Sequence, residues 1–368
     1  MKAQANTSSV LPGVVHVVPA LFDARDGIIG GAERYAFELA RHMADSTPTT
    51  LVTFGEQSRA ERIGNLKVRV IGKARYVRGQ RTNPISPALI SELRKADVVH
   101  CHQQHVLASS LSALFCRLTA RRVYVSDLGG GGWDISGYVS TDRWFNCHLH
   151  ISEYSRLING HTASPNASVI FGGVDLNKFS PDISVPRNGK VLFVGRILPH
   201  KGIDDLIKAL PEDLTLEIIG RPYGEAYLRD LRALAHGKRV VFRHECTDDE
   251  IVRAYRESMC IALPSVYRTM YGDETRVPEL LGQTLLEGMA CEAPAICTDV
   301  ASLPEVVQSG VTGFVVPPNN PEALGAKLRW LREHKTDARA MGDAARRRVM
   351  EKFSWPAVVD RCLKIYAR

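Results

Sequence analysis

Short apolar runs of strand type alternate with segments of helical periodicity along almost the whole 368-residue chain. This alternation predicts parallel β-sheets with helices in the crossover connections, because a tight turn cannot join two parallel strands. The pattern begins with residues 14–18 and a helical segment after Gly30-Gly31. The predicted strands are 14–18, 51–54, 68–71, 97–101, 123–126 and 148–152 in the first half, and 190–195, 215–220, 240–243, 260–263, 295–298 and 313–316 in the second.

The two halves are separated by the segment 169–175 and the proline-containing stretch after it, which are rich in turn-forming residues. A chain of this length is expected to form two domains. We therefore predict two doubly wound, Rossmann-like α/β domains, residues 1–176 and residues 186–354, followed by a terminal helix in residues 355–368.

Composition and charge limit the classes of function. The chain is 45% hydrophobic and 24% charged, which is ordinary for a soluble globular protein. Lysine and arginine outnumber aspartate and glutamate by 47 to 40, and the net charge of +7 favours an anionic small-molecule ligand or an anionic membrane surface over nucleic acid. The eight cysteines form no CxxC pair, which indicates a reducing compartment. Because the sequence shows no apolar signal-peptide core and no uninterrupted membrane-length apolar run, we expect a cytoplasmic protein without a transmembrane helix.

Two cations follow the predicted strand 190–195 at its carboxyl end. Arg196 comes directly after the strand, and Lys201-Gly202 precede a predicted helix, 203–210. Cationic side chains beside a helix N-terminus favour the binding of phosphate oxygens. A surface loop with two solvated cations would show the same residues, so this motif alone leaves both interpretations open.

Two carboxylates in a weakly charged segment form a second motif. Seven residues separate Glu279 from Glu287, and Gly282 between them allows a close approach of the backbone to a ligand. Gln283 and Thr284 open a predicted helix that aims backbone N–H groups at a diphosphate. Glu287 lies about one turn inside this helix, where a carboxylate suits vicinal sugar hydroxyls. Two unrelated surface glutamates are the alternative.

These motifs belong to a longer set that occurs in a fixed order. The second half contains Gly195-Arg196…Lys201-Gly202, Glu279…Glu287-Gly288-Met289-Ala290, Pro294-Ala295-Ile296, Gly310-Val311-Thr312-Gly313-Phe314 and Phe353-Ser354-Trp355. The first half contains Gly30-Gly31-Ala32-Glu33-Arg34, Asp97-Val98-Val99-His100-Cys101-His102, Ile151-Ser152-Glu153-Tyr154-Ser155 and Gly173-Val174-Asp175. The ordered set resembles the retaining family-four glycosyltransferases over nearly the whole chain.

This resemblance implies a GT-B fold, in which two Rossmann-like domains face each other across a cleft. The first domain would bind the acceptor, and the terminal helix 355–368 would pack back on it. The second domain would bind a nucleoside-diphosphate sugar. The implied reaction transfers the sugar to a saccharide, a lipid-linked saccharide or a small molecule with retention of configuration, through front-face attack and without a protein nucleophile.

The resemblance also assigns roles to individual residues. Arg196 and Lys201 would neutralise the leaving diphosphate, Glu287 would bind the ribose, and Glu279 would bind the transferred sugar. The expected site residues are Arg196, Lys201, Glu279 and Asp127 for catalysis, Gly31, Gly282, Gln283, Thr284 and Glu287 for the donor, and His102 and Arg34 for the acceptor or sugar. No metal or other cofactor is expected, because two cations and helix dipoles would take the place of a divalent ion. In agreement, the sequence contains no Asp-x-Asp motif.

The chain departs from the family pattern at three places. Asp127 stands where the family usually has a histidine that meets the donor sugar, and the glycines 129–132 follow it. Leu280 replaces a glycine, and the loop 265–279 is longer than usual. Asp127 would hold a sugar hydroxyl or orient the acceptor, and the glycine run would wrap around a ligand or form a mobile loop. The nucleotide base, the donor sugar and the acceptor stay open.

Histidines are frequent in two predicted strands. His100 and His102 face the same side of their strand, and His105 lies in the loop beyond. A metal site there would need a fourth ligand and supporting hydrogen bonds, so a hydrogen-bonding role for His102 at the cleft is preferred. His148 and His150 are interpreted as strand residues without chemistry.

Two other functions fit the same motifs. A nucleotide-sugar epimerase of the same architecture would use the same diphosphate and ribose contacts. A catalytically silent partner subunit would bind nucleotide or glycan without turnover, and Asp127 in place of histidine keeps this alternative open. The basic stretch 72–82 would contact an anionic membrane surface or form a solvated loop.

Overall fold

The computed structural model describes residues 12–22, 30–128 and 133–368. The chain forms two compact units. Unit 1 contains the described part of Met1–Ile151 together with Gly160–Ile170 and Val358–Arg368, and unit 2 contains Ser152–Asn159 and Phe171–Ala357. The glycine run 129–132, considered above as a ligand-binding segment, lies outside the described residues.

The described elements up to residue 170 form one eight-stranded sheet, a separate two-stranded sheet and the helices between the strands. They are β1 (Val14–Val17), α1 (Gly31–Met43), β2 (Thr49–Phe54), β3 (Arg59–Ile63), β4 (Leu66–Ile71), β5 (Arg75–Tyr76), β6 (Pro84–Ile85), α2 (Ala88–Leu93), β7 (Val98–His102), α3 (Leu107–Leu118), β8 (Arg122–Ser126), β9 (Cys147–His150), α4 (Glu153–Ile158) and β10 (Ala167–Val169). Over the described residues, the sheet of unit 1 has the order β10-β9-β8-β7-β1-β2-β4-β3. Its strand pairs are parallel except for the edge pair β3 and β4.

The remaining elements build the second sheet and its helices, except that most of the last helix belongs to unit 1. They are β11 (Val191–Val194), α5 (Ile203–Ala209), β12 (Leu216–Ile219), α6 (Glu225–Leu234), β13 (Val240–Arg243), α7 (Asp248–Glu257), β14 (Cys260–Leu263), α8 (Gln283–Ala290), β15 (Ala295–Thr298), α9 (Leu303–Val306), β16 (Gly313–Val316), α10 (Pro321–Glu333), α11 (Lys335–Lys352) and α12 (Trp355–Tyr366). The sheet of unit 2 is parallel, in the order β13-β12-β11-β14-β15-β16. Within the described ranges, none of the helices combines the length and the apolarity needed to cross a lipid bilayer.

The predicted α/β class with parallel sheets is confirmed. The observed strands begin and end within two residues of the predicted ones. Continuous apolar runs such as β11 and β14 are fully buried, as expected for parallel strands that are covered on both faces. The prediction misses β3, whose five residues are all exposed, β10, which has only three residues, and β5 and β6, which have two residues each.

The strands of the unit 1 sheet send side chains into two separate cores. One core contains Val15 and Val17 of β1 together with residues of α3, and the other contains residues of β2, β4 and α1. His16 and His100 are register partners on β1 and β7. Because side chains alternate along a strand, these two imidazoles project to the face opposite Val15 and Val17.

Helix α4 is part of unit 2, whereas the bounds predicted from the sequence include it in the first domain. The carboxylate of Glu305 in α9 accepts hydrogen bonds from the backbone N–H groups of Glu153 (2.7 Å) and Tyr154 (2.8 Å). A carboxylate at a helix N-terminus satisfies N–H groups that have no partner within the helix and interacts favourably with the helix dipole. The contact joins residues 152 positions apart, so no local sequence pattern indicates it.

Candidate active site

The sheet of unit 2 has a topological switch point between its neighbouring strands β11 and β14. From β11 the chain moves outward to β12 and β13, and from β14 it moves in the opposite direction to β15 and β16. In parallel α/β sheets, the carboxyl edge at such a point forms the crevice in which ligands bind. The segments that follow these two strands carry Arg196, Lys201 and Glu279.

The turn after β11 lies directly against the segment after β14. Gly202 begins helix α5 with a φ of +64°, and a Cβ atom at this position would lie 2.0 Å from the carbonyl oxygen of Pro264. This approach requires glycine, and it buries the preceding Lys201. Arg196 is exposed, and its guanidinium carbon lies 5.8 Å from the ring centroid of Tyr223. The structure therefore brings one buried and one exposed cation to the carboxyl end of β11.

Lys201 and Glu279 form an ion pair between Nζ and Oε1. Their side chains are only 11% and 10% exposed. The hydroxyl of Ser265 donates a hydrogen bond of 2.8 Å to the same carboxylate oxygen. Phosphate oxygens are strong acceptors for an ammonium group, so a bound diphosphate would compete with Glu279 for Lys201.

Helix α8 presents its N-terminus at the same edge of the sheet. Its N-cap Gly282 has a φ of +81°, and a Cβ atom there would lie 2.7 Å from Cδ2 of Leu303. No side chain in the described part of the chain caps this helix end. The backbone N–H groups of Gln283 and Thr284 and the positive end of the helix dipole therefore suit an anion. The side-chain amide of Gln283 donates instead to the carbonyl oxygen of Gly173 over 3.1 Å.

Glu287 lies one turn inside α8 and is half-buried. The hydroxyl of Tyr255 in α7 donates a hydrogen bond of 2.8 Å to its Oε2. Burial and the nearby Glu287 carboxylate raise the pKa of Tyr255 well above its usual value, so the hydroxyl remains a donor. A Cβ atom on Gly288 would lie 2.7 Å from Cγ2 of Ile261, so α8 packs closely on β14. These contacts orient the carboxylate of Glu287, which the family resemblance assigns to the ribose.

The pKa of His200, in the turn after β11, is affected by burial and by the charges around it. Burial lowers the pKa of this imidazole to about 4, and the cations Lys201 and Arg196 lower it as well, whereas Glu279 opposes them. The imidazole is therefore neutral at neutral pH. Both cations therefore lie near this imidazole, and Glu279 lies near it as well.

In unit 1, His102 and the first turn of α1 line one small cavity. Ala32, Glu33 and His102 are among its lining residues. Gly31 is the exposed first residue of α1, which places its backbone at a helix N-terminus. Arg34 is exposed on the same helix and is not among the lining residues, so the structure does not bring it together with His102.

Asp127 follows β8, and its side chain is 14% exposed. Nε2 of His105 lies 3.8 Å from Oδ2 of Asp127, and Nδ1 of His105 lies 2.9 Å from the hydroxyl oxygen of Ser136. An imidazole thus lies beside the carboxylate that stands in place of the family's usual histidine. The sequence-based reasoning considered His105 only as a metal ligand, because the two residues lie on separate loops.

The structure groups His100 and His102 with His16 rather than with His105. Nδ1 of His16 lies 2.8 Å from Nε2 of His102, and Nδ1 of His100 lies 2.7 Å from the hydroxyl of Tyr366. Burial lowers the pKa of all three imidazoles, to about 3 for His16. They are therefore neutral at neutral pH, and one hydrogen bond joins His16 to His102. The sequence-based reasoning missed His16, because only the strand register brings it to His100.

Comparison with known proteins places these features in a family. Residues 29–126 match the model of Glycosyltransferase Family 4, and residues 178–348 match that of Glycosyl transferases group 1. An uncharacterized glycosyltransferase of Methanocaldococcus jannaschii is 26% identical over 312 residues, which cover 74% of this chain and 75% of that protein. A D-inositol 3-phosphate glycosyltransferase of Mycolicibacterium gilvum is 30% identical over 236 residues, which cover 59% of this chain and 50% of that protein. The chain matches about half the length of several relatives of this second kind.

A solved structure supports the same assignment at the level of the fold. The Anabaena protein HepE in complex with UDP is similar with a TM-score of 0.72 at 18% identity, over 96% of this chain and 99% of that one. The two family models and the fold together define this chain as a glycosyltransferase. It belongs to family 4 of these enzymes and has the GT-B fold.

Proposed function

We propose that the protein transfers a sugar from a nucleoside-diphosphate sugar to an acceptor with retention of configuration and without a divalent metal ion. The observation that carries this proposal is the pairing of Lys201 with Glu279 beside the uncapped N-terminus of α8, at the switch point of the unit 2 sheet. One cation, one carboxylate and a row of N–H groups are the groups that a diphosphate and a sugar require.

Groups from the turn after β11 and from helix α8 would bind the donor at the carboxyl edge of the unit 2 sheet. The N–H groups of Gln283 and Thr284 and the cations Arg196 and Lys201 would contact the diphosphate. Glu287, oriented by Tyr255, would accept hydrogen bonds from the ribose hydroxyls. The binding of UDP by HepE, which has the same fold, supports a nucleotide in this role.

The chemical step would depend on charge that develops at the leaving group. The acceptor hydroxyl attacks the anomeric carbon from the side of the departing diphosphate, the bond from that carbon to the phosphate oxygen breaks, and the acceptor proton passes to a diphosphate oxygen. Arg196 and Lys201 stabilise the negative charge on the diphosphate as it departs. Glu279, held by Lys201 and Ser265, accepts hydrogen bonds from the transferred sugar and does not act as a nucleophile.

Two positive side chains and the dipole of α8 would supply the charge for which other transferases use a metal ion. The sequence has no Asp-x-Asp motif to hold such an ion. Unit 1 would bind the acceptor, with His102, Asp127 and His105 as its polar groups. We propose a reducing, cytoplasmic location, which the eight free thiols of the described chain support.

A thermal-shift screen with UDP, GDP, ADP and TDP and their sugars in the presence of EDTA tests the proposal. Stabilisation by one nucleotide is expected, and it would identify the base. If no nucleotide shifts the melting temperature, the donor site is wrong. NMR of the product anomer then tests retention. Turnover of the donor sugar into its epimer without an acceptor would identify an epimerase, and nucleotide binding without any turnover would identify a silent partner subunit.

A further inference from the structure

A second cluster of polar side chains lies in unit 1, outside the residues assigned above. It contains Asp142, which begins a short 3₁₀ turn after β8, His148 in the middle of β9, and His161. One carboxylate oxygen and one nitrogen of each imidazole all lie within 4.8 Å of one another. The two imidazole rings are neighbours, with centroids 4.2 Å apart. Three separate segments thus place one potential ligand atom each around a common point.

Each of the three side chains is oriented by a further polar group. Nε2 of His148 lies 3.2 Å from the backbone carbonyl oxygen of Asp142, and Nδ1 of His161 lies 3.0 Å from Nε2 of His150. The amide of Gln104 donates a hydrogen bond of 2.6 Å to Oδ1 of Asp142. Metal-ligating histidines and carboxylates are held in this way by outer hydrogen bonds, which fix the orientation of the ligand atom.

Each of the three side chains also has a polar atom that these outer hydrogen bonds do not use. Within the described residues, the hydrogen bonds of the two histidines use Nε2 of His148 and Nδ1 of His161, and Oδ2 of Asp142 accepts a 3.3 Å bond from Ser140. His148 is buried, His161 is half-buried and Asp142 is exposed, so the cluster opens to solvent on one side.

We propose that Asp142, His148 and His161 bind one divalent transition-metal ion, with Zn²⁺ as the preferred ion and solvent completing the coordination. Two imidazole nitrogens and one carboxylate oxygen suit Zn²⁺, Co²⁺ and Ni²⁺. Bonds of about 2.0–2.1 Å to a tetrahedral ion place ligand atoms about 3.3 Å apart. The three ligand atoms, now within 4.8 Å of one another, would move closer together when the ion binds.

The buried group of His16, His100 and His102 does not provide an equivalent site. Nδ1 of His16 is hydrogen-bonded to Nε2 of His102, His100 is hydrogen-bonded to Tyr366 and Ser126, and all three side chains are buried. The ion at Asp142, His148 and His161 would join the 3₁₀ turn, β9 and the segment around His161, and so stabilise unit 1. The sugar transfer does not require it, so its removal lowers the melting temperature without lowering the initial rate.

Metal titration of the full chain, first stripped with a chelator and then freed of it, tests this site. We expect one equivalent of Co²⁺ to give the visible absorption of a bound ion, and Zn²⁺ to displace it and to raise the melting temperature. The variants His161→Ala and Asp142→Asn should lose affinity at least about tenfold. His236→Ala, which removes an exposed histidine from unit 2, is the matched control and should bind like the wild type.

Two results would overturn the site. One is the absence of Co²⁺ binding by the wild type, and the other is equal Co²⁺ affinity in the wild type, His161→Ala and Asp142→Asn. A single cooperative melting transition in EDTA, like that of the stripped wild type, shows that the variants are folded. Transferase activity does not enter the test, so failure of the proposed function would not affect its outcome.

Discussion

The ammonium of Lys201 is paired with the carboxylate of Glu279 inside unit 2, although 78 positions separate the two residues in the sequence. Each charge is compensated by the other in a place that water reaches poorly. A phosphate group that enters this place must take over the role of the carboxylate as partner of the ammonium. Mutations of the two residues should therefore affect nucleotide binding in opposite directions.

Lys201→Ala should lower turnover by about 10²–10³-fold, because the lysine stabilises charge that grows on the diphosphate in the transition state. Arg196→Ala should have a similar but smaller effect, since this cation is exposed. Affinity for the intact donor should fall less than turnover in both variants. Steady-state kinetics together with calorimetric titration of the donor separate the two quantities. Lys208→Ala, which removes a lysine paired with Asp204 and Asp205, is the control, and equal losses in binding and turnover would contradict the assignment.

Glu279→Gln should strengthen the binding of the free nucleoside diphosphate by several-fold, because Lys201 loses its competing anion while the amide oxygen can still accept from Ser265. Transfer of the sugar should nevertheless become slower by at least about tenfold, since the acceptor for the sugar hydroxyls is weakened. Calorimetry with the nucleotide and with the nucleotide sugar measures both effects. Glu322→Gln, an exposed change in the same unit, should alter neither. Weaker nucleotide binding in Glu279→Gln would show that phosphate does not compete for Lys201.

Gly282→Ala should destabilise the protein more than Gly310→Ala does. Both glycines have a φ near +80°, so both substitutions carry the cost of a left-handed alanine, about 1–2 kcal/mol. Only at Gly282 does the new methyl group also meet a neighbour, Cδ2 of Leu303 at 2.7 Å, whereas no atom lies within 4 Å at Gly310. Denaturant unfolding of the two variants measures the difference, and nucleotide affinity should fall in Gly282→Ala alone. Equal free energies of unfolding would show that the end of α8 is less tightly packed than described.

Stability should fall when the pH drops below about 6.5. The pKa values of His16, His100 and His102 are lower in the folded state than in the unfolded chain, so the unfolded state takes up protons first. Their contribution is complete above pH 6.5 and is lost as the pH falls towards the folded-state values, about 3 for His16. The slope is up to about 1.4 kcal/mol per pH unit for each histidine.

Denaturant unfolding between pH 7.5 and 5 measures this slope. His16→Gln removes one titrating group and should reduce the slope by about the amount that one histidine contributes. An unchanged slope in this variant would show that other groups cause the acid sensitivity.

The sequence predicts the strands of unit 2 well because each is a buried apolar run between turn-forming residues. It cannot predict β3, since all five side chains of that edge strand are exposed and carry no alternation of apolar and polar residues. Arg196 and Lys201 are predicted from their position after a strand at the edge of a parallel sheet, and Glu279 from its spacing to Glu287 and from the family resemblance.

Contacts between distant segments could not be predicted in the same way. The hydrogen bond from Tyr255 to Glu287 depends on how α7 packs against α8, and the approach of His161 to His148 depends on the path of a loop. Neither has a local pattern, so His148 and His150 were expected to have no chemistry. The pairing of His105 with Asp127 was missed for the same reason.

The membership of residues 358–368 in unit 1 has a consequence for protein synthesis. The hydroxyl of Tyr366 contacts His100 on β7, and the backbone oxygen of Tyr366 accepts a hydrogen bond from Arg122 on β8. A ribosome makes β7 and β8 long before it makes Tyr366, and it makes all of unit 2 in between. The sheet of unit 1 therefore reaches its final contacts only after the whole of unit 2 has been synthesised.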